Sequence, residues 1–405
     1  RTAVADRVIL HVGAPKTGTS YLQDRLFHNP EVLATQGILY PADRADAQFL
    51  AALDLMQLTW GGLEKQAGGA WERLAEAVRG WSGTAIVSHE ILGFASRAHV
   101  QRALESLVAP GGRTEVHVVL SARDLARQIP AEWQENVKHR RLVTYGEFLD
   151  QIRDPDRAST VASWFWGVQE VPGILDRWGG SLPPERVHVV TVPHPGAPRD
   201  LLWERFMGVL GIEPTSLVEG TDRENPSLGV PETALLRRLN ARLKDVVPNE
   251  RYRQFVREYL VHQTLSRGQT SARLSVPPDV FAWADELSRS WRDNLVARGY
   301  DVVGDLDELV PAAPLPWVDP DRPDETEVAE VGLKGLEAMV REAARLRDVE
   351  IELHEVIGNL QEGIARFERR PTERVKRRLV REAGTNPVAK AGLGAYRALL
   401  GKNSR

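Results

Sequence analysis

Short apolar runs rich in β-branched residues alternate with segments of helical periodicity over the first 300 residues. The runs span 8–12, 84–88, 115–121 and 187–192, and Gly37–Pro41 predicts a further short strand or turn. Runs of this length that are apolar on both faces are typical of buried parallel strands. The segments between them predict helices at about 44–58, 70–80, 123–141, 144–152, 160–178, 198–210, 231–245, 250–264 and 278–298. We therefore predict an α/β fold, a doubly wound parallel sheet with helices on both faces, over residues 1–310.

The pattern changes beyond residue 310. Residues 311–327 are rich in Pro and Asp, which predicts a linker, and 328–370 have the periodicity of one long helix. Its mostly apolar stripe repeats at alternating steps of three and four, as in coiled-coil heptads: Leu336, Met339, Ala343, Leu346, Glu350, Leu353, Ile357, Leu360, Ile364 and Phe367. Val349, Ile351 and Val356 widen this stripe, so we expect the helix either to pair with a second copy, giving a homo-oligomer, or to fold back on residues 1–310.

Composition and charge change this outline in two respects. The chain of 405 residues has no cysteine, which excludes disulfides, thiolate metal sites and thiol nucleophiles. Residues 369–405 carry eleven Lys/Arg and two Asp/Glu, a net +9 in a chain of net −4. We expect 371–405 to be a basic helical tail in which Arg374–Arg381 either lies on an anionic membrane surface or is simply solvated. No run approaches the 18 or so apolar residues of a membrane span, and a cytoplasmic location without a nucleic-acid partner is expected.

The loop after the first strand carries the strongest chemical signal. Gly13–Ser20, with the sequence GAPKTGTS, joins the apolar run to a helix that opens at Thr19-Ser20. Loop amides followed by a helix N-terminus form an anion site, because the unpaired N–H groups and the helix dipole point at the same place. Gly13 and Gly18 have the spacing of a nucleoside-triphosphate loop, but Thr19 stands where that loop has lysine. The lysine of this loop, Lys16, lies before the second glycine.

Two further strand ends carry polar side chains. His89 and Glu90 follow the run 84–88, and Arg123 follows the run 115–121. In open parallel sheets, ligands bind beyond the carboxyl ends of the strands. Glu90, or His89 as the second choice, is therefore a candidate general base that takes a proton from a substrate hydroxyl.

The segment Lys16-Thr17-Gly18-Thr19-Ser20 resembles the 5′-phosphosulfate loop of the sulfotransferase family, whose donor is 3′-phosphoadenosine 5′-phosphosulfate (PAPS). The resemblance covers residues 7–300 and implies a P-loop-type fold. It implies that the amides of Thr17, Gly18 and Thr19 and the hydroxyls of Thr19 and Ser20 cradle the phosphosulfate, while Lys16 stabilises charge on the bridging oxygen. It also implies that Glu90 or His89 is the base and that no metal takes part.

The arginine after the third run, Arg123, resembles the one that holds the 3′-phosphate in this family. A serine is expected eight residues later, but Ala131 stands there, so Arg127, Gln134 or Lys138 would have to supply a replacement donor. A polar loop, Arg223–Gly229, resembles the late loop that closes over the donor in the actinobacterial branch. Arg223, Asn225 and Ser227 are its candidate donor-binding residues.

The resemblance implies transfer of a sulfuryl group to a hydroxyl of a carbohydrate, a glycolipid or another small molecule. Two alternatives stay open. One is a P-loop small-molecule kinase, which should carry a lysine next to Ser20 and a strand-end carboxylate for magnesium. The other is a non-catalytic assembly or membrane-tethering protein with a degenerate nucleotide site, in which the long helix is the functional part.

Overall fold

The architecture of the chain is a six-stranded parallel sheet flanked by helices. The computed structural model describes residues 5–108, 114–198, 200–213, 217, 227–267, 270–368, 378, 380–382 and 386–402. The strands are β1 Arg7–His11, β2 Ile38–Leu39, β3 Thr84–Ser88, β4 Glu115–Ala122, β5 Val187–Thr191 and β6 Asp301–Val303, in the order β2-β3-β1-β4-β5-β6. All neighbouring strands are parallel. The predicted α/β fold with a parallel sheet is thus confirmed.

The register of the central strands brings three chain segments to one edge of the sheet. His11 pairs with Ser88 of β3 and with Val119 of β4. Beyond these pairs, His89 N donates to His11 O (3.1 Å), and Ala14 N donates to Ser121 O (2.8 Å). The residues that follow β1, β3 and β4 therefore lie side by side.

Helices account for most of the remaining described residues. They are α1 Thr19–His28, α2 Pro30–Thr35, α3 Ala47–Met56, α4 Ala70–Arg79, α5 Arg97–Leu107, α6 Leu125–Lys138, α7 Tyr145–Arg153, α8 Thr160–Gln169, α9 Val171–Gly179, α10 Leu201–Leu210, α11 Val230–Leu243, α12 Asn249–Arg251, α13 Pro278–Arg298, α14 Glu325–Glu368 and α15 Pro387–Lys402. A wider π-helical segment, Tyr252–Leu265, continues α12. Short 3₁₀ turns occur at Leu63–Gln66, Glu90–Phe94, Pro184–Arg186 and Leu306–Leu309.

The prediction of one helix over 160–178 is wrong, because the chain breaks between α8 and α9 at Glu170. Pro172 lies in the first turn of α9. A proline has no N–H to donate to the preceding turn, and its ring clashes with that turn, so it is tolerated at a helix start but not in a helix interior.

Apolar side chains pack on both faces of the sheet. On one face, Leu22, Leu26 and Phe206 from α1 and α10 cover Ile9 of β1. On the other, α9 lies so close to β5 that a Cβ on Gly179 would be 2.8 Å from Val187 Cγ2. The strand residues of this central region are fully buried, as their uninterrupted apolar pattern predicts.

The segment predicted to be a linker lies against the α/β domain. The carboxylate of Asp321 accepts hydrogen bonds from the backbone N–H groups of Tyr145 (3.0 Å) and Gly146 (2.8 Å), at the N-terminus of α7. The rings of Trp317 and Tyr145 are 6.0 Å apart. Contacts divide the chain into two compact units, Arg1–Gly335 and Leu336–Arg405.

The predicted long helix is present as α14, a continuous helix of 44 residues. Most of the predicted basic segment Arg374–Arg381 lies outside the described residues, and α15 is the helix described beyond it. Among the described helices, none combines the length and the apolar composition needed to cross a membrane.

Candidate functional site

The glycine loop between β1 and α1 needs glycine at two positions. Gly13 has φ +139°, and a Cβ on it would lie 3.2 Å from the carbonyl oxygen of Glu90. Gly18, with φ +88°, is the N-cap residue directly before α1. Both backbone conformations are ones that residues with a side chain rarely adopt. The two glycines therefore let the loop pass close to the end of β3 and then turn directly into the helix.

A buried hydrogen-bonded cluster supports the loop from below. Thr17 Oγ1 donates to Ala14 O (2.6 Å) and lies 2.5 Å from Ser121 Oγ. The ring of His11 lies between Ser88 Oγ (Nδ1, 2.8 Å) and Ser121 Oγ (Nε2, 3.2 Å). Burial lowers the pKa of His11 to about 4, so its ring is neutral at pH 7. Sequence analysis missed His11, because it occupies one position in an otherwise apolar strand.

Lys16 forms an ion pair with a residue that sequence analysis did not identify. Its Nζ lies 2.5 Å from Glu135 Oε2, on α6. Glu135 also receives a hydrogen bond from His139 Nε2 (3.0 Å) and lies 3.8 Å from Arg257 Nη2. Burial alone would raise the pKa of Glu135, but Lys16 and His139 hold it well below its usual value. The loop lysine therefore faces a fixed negative charge across the site.

His89 and Glu90 are consecutive at the start of the turn that follows β3, and His89 Nδ1 lies 3.9 Å from Glu90 Oε2. Glu90 lines the open cleft beside Lys16, and its Oε2 accepts a hydrogen bond from Gln23 Nε2 (3.0 Å). His89 instead accepts a hydrogen bond at Nδ1 from the N–H of Ile91 (3.3 Å), which caps the turn. Burial favours a raised pKa for Glu90, but His89, Gln23 and Lys16 lower it overall. Of the two candidate bases, Glu90 is the one that lines the cleft.

Arg123 follows β4 and lines the same cleft. Its Nε donates to Gln128 Oε1 (2.6 Å), and its Nη2 donates to the carbonyl of Arg127 (3.1 Å). Burial and then the neighbouring Arg127 lower the pKa of Arg123 to about 10, so it is still charged at pH 7. These two contacts fix the orientation of the guanidinium group.

Arg127 does not lie where sequence analysis placed it. Its guanidinium pairs with Asp124 and donates to the carbonyl oxygens of Pro193 (2.9 Å) and Val192 (3.3 Å), away from the cleft. The reason is local: Asp124 caps α6, and its carboxylate reaches the residue three positions later. Arg127 therefore links α6 to the end of β5 and does not line the cleft.

The remaining predicted donor-binding residues are distributed along the cleft. Lys138 and Ala131 line it, and burial lowers the pKa of Lys138 to about 8, with a further contribution from Lys16. Gln134 Nε2 donates a hydrogen bond to Leu228 O (2.9 Å), and Gln134 Oε1 accepts one from Leu228 N (3.0 Å). Ser227 also lines the cleft, whereas Arg223 and Asn225 lie outside the described residues.

Glu132 is a second acidic residue that sequence analysis missed. It is buried on the cleft side of α6, where Gln169 Nε2 donates to its Oε1 (2.9 Å). Burial raises the pKa of Glu132 to about 7, although Lys16 opposes this shift. Ala131, Glu132, Glu135 and Lys138 form the cleft-facing stripe of α6, with the spacing of three to four residues expected of one helix face.

The cleft has a volume of about 1900 Å³. Lys16, Glu90 and Arg123, the residues after β1, β3 and β4, line it together with Gly18, Thr19 and Ser20 of the loop and helix start. Gly13 and Thr17 lie behind this surface, where they shape the loop. Among the described residues, no group of three or more His, Asp or Glu side chains is placed to hold a metal ion.

Comparison with known proteins gives one similarity in backbone structure. No protein-family model matches the chain, and no curated protein matches it. Among solved structures, the chain is similar to a sulfotransferase from Alicyclobacillus acidocaldarius, with 18% sequence identity and a TM-score of 0.39. The similarity covers 72% of this chain and 93% of that one.

Proposed function

We propose that this protein transfers a sulfuryl group from PAPS to an acceptor hydroxyl. The observation that supports the proposal most is the meeting of Lys16, Glu90 and Arg123 in one cleft, beside the N-terminus of α1. Each of these residues follows a different neighbouring strand, so the sheet edge fixes their spacing. A cation in an anion-binding loop, a carboxylate and a second oriented cation are the groups that this reaction needs.

The donor has two anionic ends, and the cleft has a cationic group for each. The amides at the start of α1, with the hydroxyls of Thr19 and Ser20, suit the 5′-phosphosulfate. Arg123, oriented by Gln128, suits the 3′-phosphate, because a guanidinium group binds phosphate through two parallel hydrogen bonds. Lys138, seven residues beyond Ala131 on α6, adds a further cation to the same cleft.

The reaction follows from these positions. The oxygen of the acceptor hydroxyl attacks sulfur while Glu90 takes the proton of that hydroxyl. The bond between sulfur and the phosphate oxygen breaks. Adenosine 3′,5′-bisphosphate leaves with the added negative charge on its 5′-phosphate. Lys16, which lines the cleft beside the start of α1, stabilises that charge together with the loop amides. The lowered pKa of Glu90 means that the carboxylate is ready to accept a proton at neutral pH.

The main competing reaction is phosphoryl transfer from a nucleoside triphosphate. Such a site should have a lysine next to Ser20, where this chain has Thr19, and a strand-end carboxylate that can reach magnesium. The carboxylate after β4 is Asp124, whose two oxygens contact the backbone N–H and the guanidinium of Arg127. Glu90, after β3, does line the cleft, so the missing lysine is the feature that favours PAPS over ATP as the donor.

Donor binding can be tested by thermal unfolding with adenosine 3′,5′-bisphosphate. A ligand that binds only the folded state raises the Tm by mass action. We expect the bisphosphate to raise the Tm of the wild type by several degrees, and Arg123→Ala to lose most of that increase. Arg153→Ala, which removes a surface ion pair with Asp279, is the matched control and should retain it.

ADP with magnesium is the competing ligand in the same experiment, and it should raise the Tm much less than the bisphosphate. A larger shift with ADP and magnesium would favour the kinase alternative. The absence of a shift with either nucleotide would favour the non-catalytic alternative.

A further inference from the structure

The cleft is larger than a donor nucleotide requires. Pockets for drug-sized ligands have volumes of about 300–1000 Å³, whereas this cleft has about 1900 Å³. Trp60, Phe94 and Trp164 form part of its lining, and we call these three residues the aromatic wall. A second ligand of similar size to the donor therefore has room beside it.

The aromatic wall is continuous and partly exposed. The ring centroids of Trp60 and Trp164 are 5.4 Å apart, and those of Phe94 and Trp164 are 5.0 Å apart. All three residues are only half-buried, whereas Trp71, Trp133 and Trp178 are fully buried in the core. Large rings left accessible inside a concave site indicate a surface for ligand contact.

Short chains of contacts connect this wall to Lys16 and to the turn that holds Glu90. The ring of Trp60 meets His139 edge to face at 5.8 Å, and His139 contacts Glu135, the partner of Lys16. On its other side, Trp60 packs on Phe49, which lies 5.1 Å from His89, the neighbour of Glu90. A ring stacked on the wall would thus share the cleft with Lys16 and Glu90, which line it as well.

Polar groups surround the wall. The hydroxyls of Thr59, Thr160 and Ser163 and the amide of Gln66 belong to exposed residues that line the same cleft. A sugar ring has an apolar C–H face and a rim of hydroxyls, which matches a ring surface bordered by hydroxyl and amide groups. We propose that the aromatic wall binds a sugar ring of the acceptor, a proposal that rests on the sulfotransferase function above for its chemistry.

Saturation-transfer NMR on donor-free protein tests the wall separately from the donor. The probes are glucose, maltose and cellobiose, with 4-nitrophenol as a planar competitor. We expect saturation of sugar C–H protons in the wild type and its loss in Trp164→Ala and Trp60→Ala. Trp283→Ala is the control, because Trp283 is a half-buried tryptophan outside the cleft that packs on Trp166.

Sulfation assays with PAPS should show the same dependence. In Trp164→Ala, the KM for the sugar should rise about tenfold or more, which is about 1.4 kcal/mol, while bisphosphate binding stays unchanged. Saturation of 4-nitrophenol without saturation of any sugar would overturn the proposal. If the protein binds sugar but fails to bind the bisphosphate, the sugar-binding role of the aromatic wall is supported and the sulfotransferase function is refuted.

A separate feature, the apolar stripe of α14, supports an independent inference. Its large side chains are exposed: Leu353 by 56%, Leu360 by 61% and Ile364 by 59%. With Leu336 placed at heptad position a, the chain has Ile357 and Ile364 at a and three leucines, Leu346, Leu353 and Leu360, at d. Isoleucine at a with leucine at d favours parallel two-stranded coiled coils.

The charged flanks fit the same arrangement. Glu342 lies at position g and Arg347 at position e, five residues later, which is the spacing of an ion pair between two parallel helices in register. We infer that α14 pairs in parallel with α14 of a second copy of this chain. In that arrangement, Glu350 at position a would face its own counterpart, which lowers the stability of the pair.

The mass of the full chain in solution tests this inference by light scattering. We expect a dimer for the wild type and a monomer for the double variant Leu353→Asp/Leu360→Asp. Ile351→Asp is the matched control, because Ile351 is an exposed apolar residue of α14 outside the a and d positions, and this variant should stay dimeric. Glu350→Ile should lower the dimer Kd at least tenfold. A monomeric wild type at 100 μM, or a double variant that stays dimeric, would overturn the inference.

Discussion

Replacing Lys16 by alanine is expected to lower kcat for sulfuryl transfer by about 10²- to 10³-fold, the usual effect of removing one preorganised donor from a developing negative charge. The structure places Nζ of Lys16 on the cleft side of the loop, against Glu135. In the proposed reaction, the leaving bisphosphate gains charge next to this ammonium group. The variant should still bind the bisphosphate, because Arg123 and the helix N-terminus remain.

The control for this variant is Lys65→Ala. Lys65 belongs to the short turn Leu63–Gln66, is exposed, and does not line the cleft, although its neighbour Gln66 does. Its replacement should leave kcat within a factor of two. If Lys16→Ala keeps the wild-type kcat and loses only donor affinity, the lysine binds the donor without stabilising the leaving group.

Glu90→Gln should lower kcat by about 10²- to 10⁴-fold, the range of general-base catalysis. Glutamine has nearly the same shape and can still accept the hydrogen bond from Gln23, so the fold and the donor Kd should be unchanged. Rapid-mixing or steady-state kinetics with PAPS gives kcat directly. His89→Asn is the comparison, because it removes the other candidate base while Glu90 stays in place.

The rate of the proposed reaction should depend on pH in one direction only. The surroundings lower the pKa of Glu90, so the carboxylate is ionised throughout the neutral range, and the rate should fall only as the pH drops through that lowered value. In Glu90→Gln this acid limb should disappear from the profile. A larger loss of kcat in His89→Asn than in Glu90→Gln would identify His89 as the base.

The sheet and the loop could be predicted from sequence because each depends on local patterns. The four apolar runs became β1, β3, β4 and β5, and the glycines at 13 and 18 marked the turn into α1. The strand β6 was missed, because it has only three residues and is partly exposed, so its pattern is too short to be recognised.

The interior of the cleft was harder to predict, because it depends on which helix face turns inward. Trp60 and Trp164 line the cleft, and sequence does not distinguish a tryptophan in a core from one in a cleft wall. Glu135 and Glu132 were missed because their roles depend on the packing of α6 against the loop. Arg127 was placed in the donor site because Asp124 was not recognised as its partner.

The cytoplasmic location and the contact of the basic tail with a membrane surface stay predictions. The membrane contact depends on residues 371–405, of which 371–377, 379, 383–385 and 403–405 lie outside the described residues. The charge of that segment, net +9 over 369–405, is the feature that motivates this contact.

The most direct test of the proposed function is a turnover assay with ³⁵S-labelled PAPS and the sugar panel. We expect release of adenosine 3′,5′-bisphosphate in equal amount to labelled, sulfated sugar, with little product from Lys16→Ala or Glu90→Gln. Label that stays on PAPS with every acceptor, together with transfer of phosphate from ATP and magnesium by the same preparation, would contradict the assignment of a sulfotransferase.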